Sequence, residues 1–280
     1  MTRPSLRPAL ACMLLLMFGA PMLGTPNARA EDLVLYGAGS LREVMTDITA
    51  DFTKKTGITV RIAFGPSGLM RERIESGEAV DVFASADMGH PLKLLRDGRA
   101  AGVMMFTRNR LCAFAKPEAG LTAANFAARL SDPTVKLGTS TPIADPAGDY
   151  TWQMFRLIDK AQPGAFAALD SKAKKVDGGP PGNPPDPDPT GSAFSRGDIN
   201  VMIAYCSGVA RRRRATPDLQ VIEVPAGFAT GPEYGLAILD AGKPAAARLA
   251  FAILSPEGQA TLARFGFDPV GLPSSAAASK

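Results

Sequence analysis

DLVLYGAGSLREVMTDITADFTKKTGITVRIAFGPSGLM, residues 32–70, alternates short apolar runs with glycine-rich turns and helical spacing. Asp32–Tyr36 reads as a strand closed by Gly37-Ala-Gly-Ser40. From Leu41 to Thr56 the apolar residues Leu41, Val44, Met45, Ile48 and Phe52 fall on one helical face. Ser40 with Glu43 three positions on has the form of a capping box, and Gly57 closes the helix. Ile58–Phe64 is a second strand, Gly65-Pro-Ser-Gly68 its turn, and Leu69–Ser76 a second helix stopped by Gly77. Val80–Ala84 is a third strand. The order strand, helix, strand, helix, strand predicts a parallel sheet with right-handed crossovers.

The remaining chain continues in the same manner. Helices are expected at Pro91–Asp97, Asn125–Leu130, Tyr150–Lys160, Lys243–Leu254 and Pro256–Phe265. Strands are expected at Arg110–Ala115, Val135–Thr139, Ile199–Tyr205, Leu219–Val224 and Tyr234–Leu239. Between them, DGGPPGNPPDPDPTG at 177–191 holds six prolines and four glycines in fifteen residues and is expected to be irregular. Trp152, Phe155 and Ile158 have the spacing of a core face.

The first thirty residues have the form of an export signal. Arg3 and Arg7 precede an apolar run from Ala9 to Met17 that continues to Leu23, and Ala28-Arg-Ala30 offers small residues at a cleavage site. A retained membrane helix is disfavoured because the run is short and broken by Gly19, Pro21 and Gly24. Cys12 precedes most of the run, which argues against a lipid anchor. The mature chain would start at Glu31, outside the cytoplasm, and the leader has a bacterial form. Lys and Arg number 31 against 27 acidic residues over the whole chain, but 28 against 27 once residues 1–30 are set aside. The basic balance therefore belongs largely to the leader, and nucleic-acid binding is not indicated.

An α/β chain of this pattern implies two lobes with a cleft between them. The expected division is a signal peptide at 1–30, a first lobe from 31–112, a second from 113–228, a return to the first over 229–273, and a disordered tail at 274–280. Ligands of open parallel sheets sit beyond the carboxyl ends of the strands. Ser40 and Ser67 would both lie there, each at a helix N-terminus, where free N–H groups and the dipole favour an anion. Asp145-Pro-Ala-Gly148 could add amides, Ala147 among them, and Tyr205 a phenol. Each serine alone is ordinary as a cap; the pair is what points to an anion pocket.

These residues carry a resemblance. Gly37-Ala-Gly-Ser-Leu41, Phe64-Gly-Pro-Ser-Gly68, Ala79-Val-Asp-Val-Phe-Ala-Ser-Ala-Asp87, Pro146-Ala-Gly-Asp-Tyr150 and Asp198-Ile-Asn-Val-Met-Ile-Ala-Tyr205 occur in order along nearly the whole mature chain. In this the sequence resembles the periplasmic molybdate-binding proteins of bacterial ABC importers, within the bilobal type II solute-binding proteins. The resemblance implies a monomeric receptor that holds molybdate or tungstate by neutral hydrogen bonds and delivers it to an inner-membrane permease. It implies contacts from Ser40, Ser67, Ala147 and Tyr205 to the oxyanion rather than to the metal, and no cofactor or catalytic residue. The family also uses an amide from the segment before the Tyr205 strand; here that position falls near Pro187, which has no N–H. Cys206-Ser-Gly208 after the tyrosine also departs from the family pattern.

Several features admit other readings. A secreted hydrolase would pair Ser40 or Ser67 with His90, the only histidine, but Gly65-Pro-Ser-Gly-Leu69 misses the last glycine of a nucleophile elbow. The same receptor could take another oxyanion or a small organic acid, as the altered proline-rich segment suggests. Cys112 and Cys206 could bridge in an oxidising compartment, but Cys112 in an apolar strand reads first as a core thiol. Arg211–Arg214 reads as a solvated face, with docking to an acidic partner as the functional alternative, and His90 as a surface or helix-start residue.

Overall fold

A computed structural model describes residues 32–180, 182, 184–240 and 242–270. The expected signal peptide at 1–30 and the expected tail at 274–280 lie outside the described residues. The first half of the chain builds β1 (Leu33–Ala38), α1 (Arg42–Thr56), β2 (Val60–Gly65), α2 (Ser67–Glu75), β3 (Val82–Ser85), α3 (Gly89–Arg96), β4 (Gly102–Arg108) and β5 (Leu111–Ala115). There follow α4 (Phe126–Ser131), β6 (Leu137–Ser140), α5 (Pro146–Ala161), α6 (Ala165–Lys172), β7 (Lys174–Asp177), α7 (Pro189–Ser195) and β8 (Val201–Tyr205). The last elements are α8 (Val209–Ala215), β9 (Gln220–Glu223), β10 (Glu233–Ile238), α9 (Pro244–Leu254), α10 (Pro256–Arg264) and β11 (Asp268–Pro269).

Two mixed sheets result, flanked by helices. One has the order β11-β4-β10-β3-β1-β2 and the other β7-β6-β8-β5-β9. β1 pairs in parallel with β2 and with β3, as the opening alternation of strand and helix requires. β10 enters antiparallel between β3 and β4. The chain passes from the first sheet to the second at Asn109–Arg110, so β5 lies wholly in the second sheet, and it returns between β9 and β10.

The core follows from strand alternation and helix periodicity. Leu41, Val44, Met45, Ile48 and Phe52 are buried and pack with Leu33 and Leu35 of β1. In the second lobe the two faces of β5 and β8 separate cleanly. Leu111, Ala113, Ala115, Val201, Ile203 and Tyr205 join the main core, whereas Cys112, Phe114, Met202 and Ala204 join a second cluster.

That separation corrects the reading of Cys112. In the antiparallel register Leu111 lies opposite Tyr205 and Cys112 opposite Ala204, which puts Cys206 on the same face as Cys112. The two form a disulfide across a sequence separation of 94 residues. The proline-rich segment is also shorter than expected. Asp177 ends β7, and Pro189 opens α7 at its first position, with Asp188 accepting from the Gly191 amide as cap.

Replacing Cys112 and Cys206 together with alanine is expected to lower the unfolding free energy by about 2–4 kcal/mol, since a long loop is released in the unfolded chain. Urea denaturation under non-reducing conditions measures this, and an unchanged midpoint would contradict a stabilising role for the bridge.

Candidate functional site

The ends of β1, β2, β6 and β8 open onto one cleft of about 610 Å³. The first lobe contributes Gly39, Ser40, Arg42, Gly65 and Pro66; the second contributes Asp145, Ala147, Tyr205 and Arg212, and Gly178, Gly179, Pro187 and Pro189 belong to a further wall. Of the four residues singled out in the sequence, Ser40, Ala147 and Tyr205 line this cleft together. Ser67 does not; it lies just behind Pro66, buried, as the first residue of α2.

Ser40 is not a helix cap. It sits in a single 3₁₀ turn, Gly39–Leu41, ahead of α1, and neither that turn nor α1 has a side-chain cap. The capping box with Glu43 is therefore absent, and Glu43 instead pairs with Arg214 at 2.6 Å. The turn frees the Ser40 hydroxyl for a tertiary bond. Its Oγ lies 2.9 Å from the Tyr234 hydroxyl, which accepts from Nδ2 of Asn109 at 3.1 Å. The same Asn109 amide donates to Ser207 Oγ at 2.8 Å. Tyr234 is fully buried among Phe106, Tyr205 and Phe267, and burial pushes its phenol far above the usual range.

The other groups of the site also have partners within the protein. Ser67 Oγ accepts from the Ala86 amide at 3.0 Å, leaving its own proton to donate. The Gly68 amide donates to the Ala144 carbonyl of the opposite lobe at 2.9 Å. A β-carbon at Gly68 would stand 2.4 Å from the Ile143 carbonyl oxygen, so glycine is what permits this approach. The Tyr205 hydroxyl reaches the Ala86 carbonyl across the cleft at 3.4 Å, a long bond, and burial raises its pKa. At the start of α5, the Ala147 amide donates to Oδ1 of Asp145 at 3.1 Å, and Ser140 donates to Oδ2 at 2.6 Å. An internal carboxylate thus occupies the helix N-terminus. Desolvation raises the Asp145 pKa to about 6 despite these bonds, with Asp177 and Asp149 adding to the rise. Gly178, at φ +71°, packs against Ser140 and Asp145, where a β-carbon would fall 2.1 Å from Ser140 Oγ.

Pro187 does line the cleft, with no N–H to offer. In the segment it belongs to, the Gly178 amide is held by Asp177 and the Asp188 amide by Asp186.

One expectation requires correction, and a second holds in its helix-start form only. Arg211, Arg213 and Arg214 are exposed, but Arg212 is buried, with its guanidinium 4.9 Å from the Phe114 ring centroid. Burial lowers its pKa to about 10, with Arg211 contributing, so it stays a cation at neutral pH. His90 is the second residue of α3, but its side chain is only 11% exposed, beside Asp87. Neither serine is bonded to it, since Ser40 is joined to Tyr234 and Ser67 to the Ala86 amide. No group of three or more His, Cys, Asp or Glu suited to a metal ion occurs among the described residues. None of the described helices is long and apolar enough to cross a membrane.

Residues 33–268 match the family model described as bacterial extracellular solute-binding protein. An uncharacterized protein of Pasteurella multocida is 35% identical over 214 residues, covering 74% of this chain and 87% of that protein. The molybdate-binding protein ModA of Rhodobacter capsulatus is 40% identical over 80 residues, 29% of this chain and 32% of that protein. Among solved structures, the periplasmic molybdate-binding protein of Azotobacter vinelandii gives a TM-score of 0.68 at 19% identity, covering 87% of this chain and all (100%) of that one. The sulfate-binding protein SubI of Mycobacterium tuberculosis gives 0.69 at 17%, covering 89% of each chain. At these identities the structures share the bilobal fold.

Asp145 binds its proton more tightly when folded than when unfolded, so its contribution to stability falls as pH rises from about 4 to about 6 and is level above that. Asp145→Asn keeps an acceptor for the Ala147 amide and removes the charge. Its stability relative to the wild type is expected to grow across that window, and denaturation at pH 4.5, 6 and 7.5 measures it. A difference that does not change with pH would show that Asp145 titrates normally.

Proposed function

We propose, for a chain that belongs to the bacterial extracellular solute-binding protein family, that it is a periplasmic receptor which closes on a tetrahedral oxyanion and delivers it to an inner-membrane ABC importer. The observation that carries this reading is the convergence of Ser40, Ala147 and Tyr205, from three separate segments, on one cleft. Molybdate and tungstate are the first ligands to consider. The ordered motifs of the sequence support them, as does the stretch shared with the Rhodobacter molybdate-binding protein.

Capture would proceed by exchange of partners. Asn109 donates to the Tyr234 oxygen; with the phenolic proton then directed to Ser40 Oγ, the Ser40 proton is left for a ligand oxygen. Such a chain polarises its terminal donor. The Ala147 amide is held by Asp145 until an anion displaces the carboxylate or a proton neutralises it. Tyr205 would close the cage from the second lobe. Selectivity would rest on donor count, because a buried donor left without an acceptor is costly.

A second reading is favoured by the size of the cleft. At about 610 Å³ it falls within the roughly 300–1,000 Å³ usual for organic ligands, so the same receptor would suit a larger anion.

Isothermal titration of ligand-stripped protein with molybdate, tungstate, sulfate and phosphate tests the assignment. Molybdate or tungstate is expected to bind more tightly than the others, and Ser40→Ala and Tyr205→Phe each to weaken binding by about tenfold or more, the size of a lost hydrogen bond to a charged group. Absence of heat with the first two anions overturns the molybdate assignment. Retained binding in both variants removes the cleft as the site.

Gly68→Ala is expected to keep the fold and hold the lobes apart, because its β-carbon would meet the opposite backbone. A larger radius of gyration in solution scattering and weaker anion binding are the expected results; unchanged dimensions would mean that the Gly68–Ala144 contact does not limit closure.

A further inference from the structure

We infer that Arg212 is an anion-recognition residue of the cleft, and that the solute carries a carboxylate or phosphoryl group on an organic body. This rests on the reading of the same cleft as the receptor's binding site and extends it to the class of ligand.

Arg212 is 8% exposed and lines the cleft from the middle of α8. A buried guanidinium needs hydrogen-bond acceptors, since burying a charge is costly unless it is paired. Its Nε has none among the described residues and is closed off from solvent, so contact with a solute would fall to the two Nη groups. The nearest carboxylate is Asp177, at 4.0 Å from Nη2, beyond hydrogen-bonding distance. The charges around it are mixed: Arg211 opposes it, and Asp177, Asp188 and Asp145 favour it. The carboxylates of the last two are engaged elsewhere. Asp188 caps α7 through the Gly191 amide, and Asp145 holds Ser140 and the Ala147 amide. The acids near Arg212 thus supply general charge balance without supplying acceptors to its donor fork.

The guanidinium is also held in place. It lies over the Phe114 ring, and a β-carbon at Gly208 would stand 2.7 Å from Nη1. A planar, pre-positioned fork of donors suits bidentate recognition of a carboxylate or phosphoryl group. Ser40 and Arg212 line the same cleft, whose size leaves room for more than a four-oxygen anion. A solute that reaches both must have a body between or beside its anionic groups.

The test is titration of ligand-stripped wild type, Arg212→Gln and Gly208→Ala with molybdate, inorganic phosphate, citrate and glycerol 3-phosphate. Citrate or glycerol 3-phosphate is expected to bind the wild type more tightly than inorganic phosphate. Arg212→Gln is expected to weaken that binding by about 30-fold or more, the scale for removing one partner of a buried charge pair. Gly208→Ala keeps the charge and crowds the guanidinium, so it is expected to weaken binding in the same direction even if Arg212→Gln folds poorly.

The outcomes separate the two proposals. Molybdate binding alone, with both variants within twofold of the wild type, leaves the receptor reading standing and overturns the role of Arg212. Molybdate binding alone that is lost in Arg212→Gln keeps Arg212 and overturns the organic body. Binding of an organic anion that Arg212→Gln abolishes, without molybdate binding, supports the inference and overturns the molybdate assignment. No binding of any of the four at millimolar concentration overturns both.

Discussion

The hydroxyl of Tyr234 is buried where the chain crosses between its lobes, and it must find partners there. Asn109, at the crossing between β4 and β5, donates to it, and Ser40, at the end of β1, shares a hydrogen with it. Three distant parts of the chain are fixed at one oxygen in this way. The aromatic rings of Phe106, Tyr205 and Phe267 enclose the phenol and exclude water. In such surroundings an unpaired polar group costs about 1–3 kcal/mol, so each partner is held by the others. The position of Ser40 at the cleft, and of Tyr205 opposite it, follows from this buried chain more than from helix capping.

The remaining donors show the same economy. A helix N-terminus has orphan amides that need acceptors whether or not a ligand is present. The Ala144 carbonyl serves Gly68 at the start of α2, and the Asp145 carboxylate serves Ala147 at the start of α5. At these amides a bound anion replaces existing bonds instead of filling empty ones, and the gain is the difference between the two sets. Arg212 differs, since its buried Nε has no acceptor among the described residues to lose.

The sequence made the first sheet legible because β1 to β3 alternate with helices whose apolar spacing is regular. β4 was not anticipated: Val103, Met104, Met105 and Phe106 follow one another without alternation, and only pairing with β10 makes them a strand. The capping box failed because one turn of 3₁₀ helix separates Ser40 from α1. The disulfide depends on the register of β5 with β8, which no local signal sets. Asn109 and Tyr234 carried no motif at all. Arg212 did leave a signal. Four consecutive helical residues span nearly a full turn, so a run of four arginines on a helix packed against a sheet must turn one of them inward. Reading the run as a solvated face overlooked that geometry.

Asp145 and Arg212 give the cleft opposed electrostatics. At the α5 end a carboxylate stands where an anion would bind, and its raised pKa means that modest acidification removes the repulsion. At the α8 end a fixed cation attracts anions at every ordinary pH. Neutral donors such as Ser40 and Tyr205 discriminate by geometry, because each hydrogen bond is directional. Charge discriminates less sharply but acts over a longer range and steers encounter. A ligand held only at the neutral end would gain affinity as Asp145 takes up its proton. A ligand held mainly by Arg212 would respond less to that protonation, since Asp145 acts on the guanidinium only through space. Once the solute's own ionisation is subtracted, the pH profile of binding reports which end of the cleft carries the anion.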